Sequence, residues 1–146
     1  MLKLLMYSLL ALAGGIAMGI QAVVNGGLGR KVGTIEGAFL SFLIGTAALF
    51  FLVLFAGKGS LLAFSEVPKF QLTGGLLGAF FVVVMVLVVP KIGVASALMA
   101  VIVGQLLMGS LIDHFGLFGG QRFPLDMQKS IALVVMLGAI YVFNMK

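Results

Sequence analysis

The sequence contains no cysteine. Disulfide frameworks, thiolate-bound metals and thiol catalysis are therefore excluded. Histidine occurs once, and Asp and Glu together only four times. With so few of these groups, no metal cluster and no nucleophile–base pair falls at usable spacing. A GxGxxG dinucleotide signature and a phosphate-binding loop are also missing. The chain is thus not expected to be an enzyme, to bind a cofactor or to hold a metal. Charge as a whole is scarce: charged residues make up 9% of the chain, against about 25% in a soluble domain.

Apolar residues dominate instead. They account for 62% of the chain, with a mean hydropathy of +1.30 over 146 residues. A soluble fold of this composition would expose large apolar patches and aggregate. A bilayer removes that difficulty, because lipid is the right solvent for such a surface. The net charge of +5 does not indicate nucleic acid. The nine Lys and Arg residues are short punctuation between apolar runs, and no basic face forms.

Near the N-terminus, Lys3, the apolar run from Leu4 to Leu12 and Ala11-Leu12-Ala13 imitate a cleavable secretory signal. The apolar stretch continues through Ile16, Ile20, Val23 and Val24. That length suits an uncleaved first spanning helix. Five such segments are expected, at about residues 4–28, 36–56, 71–89, 92–115 and 128–143, in one transmembrane domain over 1–146. The first four match the roughly 20 residues that cross about 30 Å of hydrocarbon. The fifth is a little short and suits a span with little tilt. Continuous apolar runs without period-two alternation indicate helices, not barrel strands. Gly29-Arg30-Lys31 with Gly33-Thr34 reads as the first turn, with Thr34 able to cap the second helix. Pro90-Lys91 reads as an abrupt reversal between the third and fourth helices.

Five spans place the N-terminus and the second and fourth loops on one side of the membrane. That side carries Lys3, Lys58, Lys69, Arg122 and Lys129; the other carries Arg30, Lys31, Lys91 and Lys146. Orientation is set by the Lys/Arg difference between sides, and five against four is almost no instruction. Either the first helix overrides a weak bias, or copies insert both ways and pair antiparallel.

Small residues at four-residue spacing mark faces where membrane helices approach closely. They occur as Gly15-x-x-x-Gly19, as Gly37, Ser41 and Gly45, as Gly74-x-x-x-Gly78, and as Ser96, Ala100 and Gly104. Polar residues inside spans carry more information, because each is costly unless paired or wet. Gln21 and Asn25 share one face of the first helix with Ala13, Ala17 and Gly29; Gln105, Gly109 and Asp113 share one face of the fourth. An amide offers two donors and an acceptor, which suits a polar solute or, equally, a partner helix. Ser41, Thr46, Ser96 and Ser110 can instead bond to carbonyls of their own helix. Asp113 and His114 end the fourth helix, where they fit either the water interface or a cavity mouth. Glu36 falls in the first turn of the second helix, where a carboxylate complements the helix dipole. No carboxylate lies at mid-span.

Three stretches carry a family resemblance. They are Gly19-Ile20-Gln21-Ala22-Val23-Val24-Asn25-Gly26-Gly27-Leu28-Gly29, Ala38-Phe39-Leu40-Ser41-Phe42-Leu43-Ile44-Gly45-Thr46, and Pro90-Lys91-Ile92-Gly93-Val94-Ala95-Ser96-Ala97 followed by Gly104-Gln105 and Asp113-His114-Phe115-Gly116. Together they resemble the YdcZ-type family, the half-size, five-helix branch of the drug/metabolite transporter superfamily. The resemblance implies an all-α integral membrane protein of the bacterial inner membrane. It also implies that five helices form one half of an inverted repeat, completed by a second copy in the opposite orientation. An odd number of spans requires that opposite insertion.

The expected activity is small-molecule transport by alternating access in an antiparallel homodimer. Gln21, Asn25, Ser96 and Gln105 are the first candidates to contact the solute, followed by Ser41, Ser110 and Asp113. The expected partners are a second copy, membrane lipid and a small polar or amphipathic solute. A lipid flippase or scramblase would instead open a groove sideways to the bilayer, and a non-transporting assembly subunit would have no cavity.

Overall fold

In the computed structural model, residues 2–145 are described. Lys146, counted above on the side of Arg30 and Lys31, lies outside them. The chain is helical: α1 (Leu2–Val32), α2 (Thr34–Ala56), α3 (Gly74–Ile92), α4 (Val94–Phe115) and α5 (Met127–Asn144). All five are long and apolar enough to cross a membrane. Short 3-10 segments, Leu61–Glu66 and Lys69–Thr73, fill the loop between α2 and α3.

The helix ends differ from the expected ones for identifiable reasons. Arg30 and Lys31 do not end α1; they form its last turn, where cations complement the exposed carbonyls. The stop is Gly33, with φ 106° and ψ 153°, a region essentially restricted to glycine. Its N–H still donates to the Gly29 carbonyl at 3.0 Å, and its own carbonyl accepts from Gly37 at 2.9 Å. Gly33, not Thr34, is thus the N-cap of α2, and no side chain caps that end. α3 repeats the device. Pro90 lies inside the helix, in its last turn. The helix runs on to Ile92 and stops at Gly93, with φ 84° and ψ 160°. Lys31-Val32-Gly33-Thr34 and Lys91-Ile92-Gly93-Val94 are thus two helix–glycine–helix joints of similar sequence and conformation. The start of α3 is later than expected, because Lys69–Thr73 winds as a 3-10 turn.

The chain divides between Val94 and Ala95 into two compact units. In the first, α1, α2 and α3 pack on one another. The core is small: Ala38, Val82 and Val86, with Phe81 and Val83 against them. Glycines let the backbones meet. A Cβ on Gly37 would lie 2.9 Å from the Gly29 Cα, and one on Gly29 would run into the Val86 side chain. Gly26 faces Pro90, whose Cγ would be 3.6 Å from an added Cβ. The small-residue stripes are only partly used in this packing. Gly78 meets Phe42, but Gly15, Gly45, Gly74 and Gly104 have no atom within 4 Å of an added Cβ.

In the second unit, the loop after α4 folds back on that helix. The Phe123 N–H donates to the Asp113 carbonyl at 2.8 Å, and the Leu125 N–H donates to His114 Nδ1 at 3.1 Å. The Asp126 carboxylate then caps α5 by accepting from the Lys129 N–H at 2.7 Å.

Candidate functional site

The point where α1 and α2 cross fixes the geometry of the first unit. Gly29 and Gly37 nearly touch there, and the two helices lead away from it. At about 1.5 Å per residue, Asn25 and Ser41 each lie about 6 Å along their helix from the crossing. Gln21 and Gly45 each lie about 12 Å along. The spacing of four residues keeps Gln21, Asn25 and Gly29 on one face of α1.

Beyond the crossing is a cleft of about 160 Å³, lined by Gln21, Ser41, Phe42, Gly45, Thr46 and Leu49. Two expected site residues, Gln21 and Ser41, are therefore brought together. Thr46 joins them, although its sequence position suggested a hydroxyl bonded to its own helix. Among the described residues, the side-chain hydrogen bonds are made elsewhere, and Gln21, Asn25, Ser41 and Thr46 make none.

Among the described residues Asn25 is the buried polar one, 6% exposed. Its amide has no hydrogen-bond partner among the described residues. Yet among the described residues no side-chain nitrogen or oxygen is both sealed off and unpaired. The Asn25 amide therefore keeps some contact with the surface, where a water or a ligand atom can satisfy it.

A second crevice, about 220 Å³, lies at the Gly93 end of the same unit, with Arg30 on one side and Pro90 and Gly93 on the other. The two spaces differ chemically. The crevice carries a cation at its edge, whereas every polar group lining the cleft is uncharged.

The remaining expected site residues lie on α4, in the second unit. Ser96 and Ser110 are half-buried, and Gln105 and Asp113 are exposed. His114 has a structural task, since its Nδ1 accepts the Leu125 N–H. That bond fixes the proton of the neutral imidazole on Nε2. Phe115 stacks edge-on against the ring, with centroids 4.8 Å apart. Among the described residues no cluster of His, Cys, Asp or Glu could hold a metal.

No curated protein and no solved structure matches the chain. One family does, described as "Putative inner membrane exporter, YdcZ", over residues 6–142. That match takes in all five helices of spanning length, and the chain belongs to this family of multi-pass membrane proteins.

Proposed function

We propose that the protein exports a small polar or amphipathic solute across a bacterial cytoplasmic membrane, as an antiparallel homodimer working by alternating access. The observation that carries the reading is the α1–α2 cleft with its unpaired polar groups. Gln21, Ser41 and Thr46 line a space inside a span, and Asn25 lies buried and unpartnered one turn from Gln21. A polar group inside a membrane span is costly unless paired or wet, so these unpaired ones suit a solute path. Gln105 and Ser96 on α4, with Ser110 and Asp113, are the contacts proposed for the rest of the path. The family description, which names an exporter, supports outward transport.

Two sequence features support antiparallel pairing. The Lys/Arg count is balanced at five against four, so neither orientation is strongly instructed. Five spanning helices are also an odd number, so an inverted pair needs copies of opposite orientation. Biased insertion tests this directly. Two or three extra Lys residues between Lys58 and Lys69 should force one orientation and reduce both the cross-linked dimer and solute efflux. Co-expression with a copy biased the other way should restore both. Full dimer yield and efflux from the singly biased copy would refute antiparallel pairing.

A further inference from the structure

The α1–α2 cleft is chemically selective. Gln21 offers an amide, Ser41 and Thr46 offer hydroxyls, and Phe42 and Leu49 supply apolar surface. Each polar group can donate or accept a hydrogen bond, and none carries a charge. The nearest charged residues along the two helices are Arg30 and Glu36. At about 1.5 Å per residue, Arg30 is about 14 Å along α1 from Gln21, and Glu36 is about 8 Å along α2 from Ser41. An ion entering the cleft would give up hydration without meeting an opposite charge, which is strongly unfavourable at membrane depth. An uncharged polar solute exchanges its water hydrogen bonds for those of Gln21, Ser41 and Thr46.

We propose that the cleft of each single chain is a binding site for a small uncharged solute bearing amide or hydroxyl groups, with Gln21 and Thr46 as its specificity-determining residues. The proposal deepens the exporter reading and rests on it only for the solute's onward passage. Binding at the cleft can be measured without transport.

The lack of cysteine makes the test clean. Single cysteines replace Ser41 or Thr46 in the cleft. Ala47→Cys, on the opposite side of α2, and Gly59→Cys, in the exposed loop, serve as controls. In proteoliposomes each variant is reacted with three methanethiosulfonates: hydroxyethyl (uncharged), trimethylammonioethyl (cationic) and sulfonatoethyl (anionic). Rates are normalised to Gly59→Cys. The uncharged reagent should react at Ser41→Cys and Thr46→Cys at least ten-fold faster than either charged one. It should leave Ala47→Cys nearly untouched. Adding Gln21→Leu to Thr46→Cys should slow that reaction several-fold.

Equal normalised rates for charged and uncharged reagents would overturn the proposed solute class. Failure of all three reagents at both cleft positions, or equal labelling at Ala47→Cys, would mean that lipid fills the cleft and no site exists. If labelling follows expectation while proteoliposomes show no efflux of small uncharged solutes, the exporter reading fails and the binding site stands.

Discussion

Asn25 and Gln105 carry the same functional group in opposite settings. Asn25 is buried and Gln105 is exposed. Leaving a buried amide unpaired costs roughly 1–3 kcal/mol, so Asn25 burdens the fold unless a ligand or water meets it. Asn25→Leu should therefore keep or slightly raise thermal stability in detergent while lowering efflux at least ten-fold. A matching loss of stability would make Asn25 a packing residue. Gln105→Ala should impair efflux more than dimer formation, because an interhelical hydrogen bond in a membrane averages only about 0.6 kcal/mol. Equal loss of both would identify Gln105 as interhelical glue. At this scale the sequence was informative for amides and silent for hydroxyls. Gln21 and Asn25 stood out because a mid-span amide has few local partners. Thr46 did not, because a helical threonine can bond to its own backbone, and only the fold shows that it faces the cleft. His114 was equally illegible: its partner is the Leu125 N–H, eleven residues further along the chain.

Two helix–glycine–helix joints and one close helix crossing organise the first unit. Gly37→Ala would push a Cβ to 2.9 Å from the Gly29 Cα and 3.0 Å from its N. Both obstacles are backbone, so the helices must separate, at a cost of about 1–3 kcal/mol. Gly15→Ala meets nothing within 4 Å and should gain about 0.5–1 kcal/mol from helix propensity. Thermal unfolding in detergent should therefore lower Tm for Gly37→Ala and leave it equal or higher for Gly15→Ala. Equal effects would mean that the α1–α2 crossing does not organise this unit. Helix number and type were legible because each run is long and apolar. The ends were less so. The polar pair Arg30-Lys31 looked like a turn but continues α1, and Pro90 looked like a stop but lies within α3. In both places a single glycine at positive φ makes the break. Which glycines pack was also hidden, since a four-residue stripe marks a face without naming its partner: Gly37 is crowded, and Gly15 is open.

On the scale of the whole molecule, most large apolar side chains among the described residues are exposed, including Ile131, Val134, Val135, Tyr141 and Val142 on α5, whose other face, Leu133, Met136 and Ile140, is half-buried. Lipid or a second copy must cover them. No carboxylate stands at mid-span: Glu36 is in the first turn of α2 and Asp113 in the last turn of α4. A proton-coupled exchanger usually carries its proton on a mid-span carboxylate. Efflux from proteoliposomes should therefore change less than about two-fold when a pH gradient is imposed. Uphill accumulation driven by the gradient and abolished by Asp113→Asn would make Asp113 a coupling site. The balanced charge count remains the strongest whole-chain signal. Its consequence can be read from a single cysteine added at the C-terminus of this cysteine-free chain. In intact cells of an efflux-competent strain, a membrane-impermeant maleimide should label about half of the protein from outside, and the remainder only after the membrane is opened. Labelling confined to one side, with efflux intact, would contradict the antiparallel homodimer.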